Sequence, residues 1–150
     1  MDFKSLVICV IFLFASTNGG KVLFYIPLAT KSVKITFTPV LEALAERGHD
    51  VTVVMPFEAS KGSKYKVINA DPSGAFANAV TKMTEKIITK EDSNVVNAMG
   101  TMVNAAIQSN ENALSDPLMQ KFLNDPNTKF DIVIVGPFLA GEAGYYLARK

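Results

Sequence analysis

The sequence predicts an α/β fold built on a parallel sheet. Three unbroken runs of β-branched and aromatic residues carry that expectation: Lys21–Ile26, Asp50–Met55 and Phe130–Val135. Strands buried on both faces read as continuous apolar runs, whereas a half-exposed strand alternates. A helical stripe separates the first two runs, so strand, helix and strand fit within about 35 residues. That is a βαβ unit, whose crossover is right-handed in nearly all folds.

The elements follow in order. Lys4 precedes an apolar run from Leu6 to Phe14, followed by the small residues Ala15-Ser16-Thr17-Asn18-Gly19-Gly20. A cationic start, a short apolar core and a small-residue end describe a secretory signal peptide over residues 1–20. The run is about half of the roughly 20 residues a membrane-spanning helix needs. A buried N-terminal strand is the other reading of this stretch. Cleavage is expected after Gly19 or Gly20, and Cys9 would leave with the leader. The mature chain, residues 21–150, would then hold no thiol, and it has no Asn-x-Ser/Thr site for glycosylation.

The first strand ends at Pro27. Phe37, Val40, Leu41, Leu44 and Ala45 then form one apolar helical stripe. That helix starts either at Pro39, capped by Thr38, or near Ser32 with Pro39 as an internal irregularity. Gly48 ends it and Pro56 ends the second strand. Tyr65–Ile68 is a short third strand, and residues 74–90 form a weakly patterned helix. From Asn94 to Ser109 the stripe Val95, Met99, Met102, Val103 and Ala106 predicts a clearer one, with another short helix over Leu114–Leu123. Gly136-Pro137 closes the last strand, and a helix near Leu139 is still apolar at Leu147. A sheet of three or four strands would be exposed at one edge, so the sequence reads as a piece of a larger fold.

Composition excludes several classes of function. The chain has 150 residues, enough for one domain, with 49% hydrophobic and 19% charged residues, which rules out disorder. A net charge of +1 supplies no basic field for nucleic acid. One Cys and one His cannot build a zinc site, an iron–sulfur cluster or a disulfide framework. No Gly-x-Gly-x-x-Gly or Walker-type loop follows the first strand, so a dinucleotide or nucleoside triphosphate at that turn has no support. His49 sits past a helix end with no nucleophile beside it, and Asp131 starts a strand; both read as structural. Lys82, Lys86 and Lys90 read as a solvated helix face. Met99 and Met102 read as core, with an adaptable apolar pocket as the other possibility.

Three features together carry a resemblance. The block Leu44-Ala-Glu-Arg-Gly-His-Asp-Val-Thr-Val-Val-Met-Pro56, after a strand and a Lys31-Ser32 turn, resembles the start of UDP-glycosyltransferases. It is most similar to their arthropod, UDP-glucuronosyltransferase-like branch. Phe130-Asp-Ile-Val-Ile-Val-Gly-Pro-Phe138 resembles the family's fourth-strand segment, and a leader just before the first strand also fits. The resemblance implies a GT-B enzyme of two Rossmann-like domains, of which residues 21–150 would be an incomplete N-terminal one. In the family that domain binds a small lipophilic acceptor, and a C-terminal domain binds the UDP-sugar, with no metal. A C-terminal helix anchors members in the endoplasmic reticulum membrane, facing the lumen; without it the product would be lumenal or secreted. The implied reaction transfers a hexose or glucuronic acid with inversion. The implied acceptor pocket comprises Thr30, Lys31, Ser32, Val33, Met99, Met102, Gly136, Pro137 and Phe138.

Two departures stand out. Members place a His after the Ser of the first turn, where it deprotonates the acceptor, and an Asp after the fourth strand, where it orients that His. Here the positions are Val33 and Gly136, so no catalytic residue carries over. Loss of such a base costs on the order of 10²–10⁴ in rate. His49 cannot replace it: sixteen helical residues at about 1.5 Å each put it roughly 24 Å away. Lys31 and Lys34 are near, but an ammonium group is a poor base at neutral pH. Proton transfer through water, or an acceptor acidic enough to need little help, are the remaining routes. A non-catalytic lumenal or secreted binding protein for apolar small molecules is the alternative.

Overall fold

The structure, a computed structural model, describes residues 19–89, 95–136 and 142–149. The apolar run Leu6–Phe14, Lys90, Pro137, Phe138 and Leu139 lie outside the described residues. The elements are β1 (Lys21–Tyr25), α1 (Lys31–Glu46), β2 (Asp50–Met55), β3 (Lys66–Asn69), α2 (Ala75–Thr89), α3 (Val95–Ser115), α4 (Pro117–Asn124), β4 (Ile132–Val135) and α5 (Glu142–Arg149). The four strands make one sheet in the order β3-β2-β1-β4, parallel at every pairing. This is the expected α/β, Rossmann-like arrangement.

Strand periodicity divides the core. Val22, Phe24, Val51, Val53 and Met55 point to one face, where Leu41, Phe37 and Leu44 of α1 cover them. Leu23, Tyr25, Val54 and Ile68 point to the other, against Ala113, Met119 and Leu147 of α3, α4 and α5. Each fully buried side chain of this size contributes about 1.5–3 kcal/mol. Helices on both faces therefore explain why the strands are apolar throughout.

Helix α1 takes the earlier of its two expected starts, with Pro39 inside it. Pro39 lacks the N–H that would bond to the Ile35 carbonyl. Ile35 and Pro39 both lie on the exposed side, where water can take that carbonyl. At the other end Gly48, at φ +88°, donates its N–H to the Ala45 carbonyl, and His49 donates to that of Leu44. That left-handed glycine cap turns the chain directly into β2.

Several boundaries differ from expectation, four of them for reasons the packing shows. β3 begins at Lys66, one residue late, because Tyr65 packs into the α1-side core while Thr52 pairs with Lys66. β4 begins at Ile132: Phe130 instead meets Phe122 edge-on, ring centroids 5.0 Å apart. Helix α3 runs on to Ser115, and α4 starts at Pro117 rather than Leu114. The Asp116 carboxylate accepts the Leu118 N–H at 2.8 Å, and Pro117 takes the first helical position, so the break falls between Ala113 and Pro117.

The α3 stripe holds only in part: Ala106 is buried and Met102 half-buried, but Met99 and Val103 are exposed. Met99 is 61% exposed and Val103 42%, with Ile107 exposed too, while the buried face is Ala106, Ser109 and Ala113. The side chain of Val95 lies outside the described residues. Only the last turns of α3 meet the sheet: the Tyr25 hydroxyl donates to Asn110 Oδ1 at 2.6 Å, and Asn112 Nδ2 donates to the Ala70 carbonyl. Small residues let those turns sit close, so the larger apolar ones face away.

Candidate functional site

The order of the strands reverses at β1, with β2 on one side and β4 on the other. In open parallel sheets ligands gather outside the carboxyl ends at such a point. Ile26 to Ala29 lead from β1 into α1 there, and Ile26, Pro27 and Ala29 are buried, so the turn is fixed from below. Thr30 caps α1 by backbone alone, Lys34 N–H bonding to its carbonyl at 3.0 Å. Its hydroxyl instead lies 2.8 Å from that of Ser32.

The sequence-derived pocket residues distribute as follows. Lys31 and Ser32 are exposed, and Val33 is half-buried, packed on the cluster that contains Ile26 and Ala29. Gly136 donates its N–H to the Tyr25 carbonyl at 2.9 Å, and a Cβ there would lie 2.8 Å from Ile26 Cγ2. Thr30 to Val33 and Gly136 thus reach the same sheet edge on either side of Ile26. Met99 and Met102 stand roughly 12–16 Å up α3 from Asn110, at 1.5 Å per residue. Pro137 and Phe138 lie outside the described residues.

The edge is rich in hydroxyl and ammonium groups and poor in bases. Lys34 Nζ donates to the Glu58 carbonyl at 3.0 Å and lies 5.5 Å from the centre of the Phe57 ring. The Glu58 carboxylate accepts from Asn69 Nδ2 at 2.6 Å. Asp71 is buried, and its carboxylate accepts the N–H groups of Phe76 and Ala77 at 3.0 and 3.2 Å, capping α2. The one histidine is at the opposite end of the strands: His49 Nδ1 accepts the Gly20 N–H at 3.0 Å. Asp131 also works there, accepting the Lys21 N–H at 2.7 Å. Both are structural, as expected. Lys82 is exposed; the side chain of Lys86 lies outside the described residues.

Sequence reasoning missed Tyr25, Asn110 and Gly144. A buried Tyr needs a partner for its hydroxyl, which the run Val22–Tyr25 signals without saying where the partner is. A Cβ at Gly144 would lie 2.9 Å from Val135 Cγ2 and 3.1 Å from Tyr25 Cδ1, so this glycine lets α5 approach the ends of β1 and β4. Among the described residues no three His, Cys, Asp or Glu side chains gather as a metal site, and no helix is long and apolar enough to cross a membrane.

The chain matches no protein-family profile and no solved structure. Over 142 residues it is 31% identical to UDP-glucosyltransferase 2 of Dactylopius coccus. The match takes in 92% of this chain and 26% of that protein, so the chain spans about a quarter of its relative's length. The likeness supports a relationship to UDP-glycosyltransferases, and a parallel sheet flanked by helices is compatible with part of such a domain.

Proposed function

We propose that residues 21–150 form the acceptor-binding N-terminal part of a UDP-glycosyltransferase of GT-B architecture, following a cleaved leader. The observation that carries this reading is the 31% identity to UDP-glucosyltransferase 2 across 92% of the chain. The reversal of strand order between β1 and β4, the place where open parallel sheets hold ligands at their carboxyl ends, supports it independently of sequence likeness.

In this reading a small lipophilic acceptor lies over Ile26, between the Thr30–Val33 turn and Gly136. Its oxygen attacks the anomeric carbon of a UDP-hexose or UDP-glucuronic acid as the bond to UDP breaks, inverting that centre. The match takes in only 26% of the relative, so this reading assigns donor binding to a part of the relative that the match does not cover. Val33 accepts no proton, so the acceptor oxygen loses its proton to water or arrives already ionised. Processing through the secretory pathway would place the protein in the endoplasmic reticulum lumen.

Fusion to the C-terminal part of UDP-glucosyltransferase 2 tests the reading. The fusion releases UDP with phenolic acceptors, and Val33→His raises the rate about a hundredfold, the low side of what a positioned base contributes. No release above an acceptor-free blank from either form refutes it.

A further inference from the structure

The opposite end of the sheet carries a cavity that the transferase reading leaves unused. Its volume is about 250 Å³, slightly below the roughly 300–1,000 Å³ of ordinary ligand pockets. Strand alternation builds one wall. Lys21, Asp50 and Lys66 start strands and Thr52 follows Asp50 by two residues, so all four lie on the face shared by Leu23, Val54 and Ile68, and the register sets Lys21 beside Asp50 and Thr52 beside Lys66. Leu118, Lys121 and Phe122 of α4, with Thr128 and Phe130 of the following loop, close the other side.

The groups in this cavity are unevenly satisfied. Lys66 Nζ pairs with Asp50 Oδ1 at 2.8 Å. The Asp125 carboxylate accepts from the Asn127 N–H at 2.9 Å and the Thr128 hydroxyl at 3.0 Å. Lys21 and Lys121 have no ion-pair partner among the described residues. Thr52 is only 2% exposed, lines the cavity, and its hydroxyl bonds to no other described residue. That hydroxyl is not sealed from solvent, so water or a ligand oxygen entering the cavity can bond to it. Beside these stand the edge-to-face rings of Phe122 and Phe130.

We propose that this amino-end cavity binds a small aryl or alkyl carboxylate: the anion between Lys21 and Lys121, one of its oxygens accepting from the Thr52 hydroxyl, and its apolar body on Leu118, Phe122 and Phe130. The site lies roughly 15 Å along the strands from the carboxyl-end crevice, at about 3.3 Å per residue, so both can be filled together.

Benzoate titrated into the full chain, followed by amide chemical shifts, tests this. Saturable millimolar binding is expected, with shifts concentrated at Lys21, Thr52, Lys121 and Phe130 and weakening as salt rises. Neutral benzamide binds at least tenfold more weakly, and Lys121→Gln, an exposed change that leaves the fold intact, lowers benzoate affinity about fivefold. Thr52→Val removes the hydroxyl at constant shape and lowers it similarly. Absence of saturable shifts at these amides, equal affinity for benzamide, or benzoate affinity unchanged in Lys121→Gln overturns the proposal. None of these readouts depends on glycosyl transfer.

Discussion

A side chain at position 136 has no room without displacing Ile26. Gly136→Asp therefore costs about 1–3 kcal/mol by overpacking, read from urea unfolding. Ile26 is stiff at its branched Cβ, so the strain is relieved only by shortening it: Gly136→Asp with Ile26→Ala costs less than the sum of the two single changes. A family-type carboxylate is thus harder to restore here than a family-type imidazole at Val33, which faces a half-buried turn. Removing the Tyr25 hydroxyl leaves Asn110 Oδ1 without that donor, and Tyr25→Phe is expected to cost about 1–3 kcal/mol in the same assay. His49 and Asp131 were legible as structural because each sits at an element boundary, where backbone groups need partners. Asp71 and Tyr25 were not: one caps a helix across a turn, and the other's partner is 85 residues away, beyond any local pattern.

At the scale of elements, runs and punctuation carried most of the information. Unbroken apolar runs located the strands, and Gly48 and Pro56 bounded the second of them. Helices that pack through small residues misled, as in α3, where Ala106, Ser109 and Ala113 are buried and the bulkier stripe is not. Residue size signals burial only when the partner surface is far enough away to need filling. Pro39 shows the converse, an unfavourable residue kept inside a helix on its exposed side. Pro39→Ala restores a donor for the Ile35 carbonyl and should stabilise the chain by about 1–2 kcal/mol, seen as a higher urea midpoint. The start of β1 fixes where a leader can be cut. Gly20 donates its N–H to His49 and accepts from the Asp50 N–H at 3.1 Å, so cleavage after Gly20 would strip β1 of both bonds. If a leader is removed as proposed, N-terminal sequencing of the processed chain is expected to find a start no later than Gly20; a start at Lys21 contradicts this.

For the whole molecule, fold class was legible and strand order was not. A βαβ unit fixes β1 beside β2, but nothing local says that β4 returns to the far side of β1. That placement depends on α3 and α4 covering one face while α1 covers the other. Among the described residues β4 pairs with β1 alone, and Ile132 at its head is 54% exposed, in line with the exposed border expected from the sequence.

Pairing β1 with β4 also imposes a timetable. Lys21 and Asp131 are joined through a loop of 110 residues, whereas β1 meets β2 after about 29. As the polypeptide leaves the ribosome, one flank of β1 waits until nearly all of these residues have been made. Parallel contacts of such separation form late and slowly. An assistant that shields strand edges during synthesis would raise the yield of this chain more than one that acts on its helices.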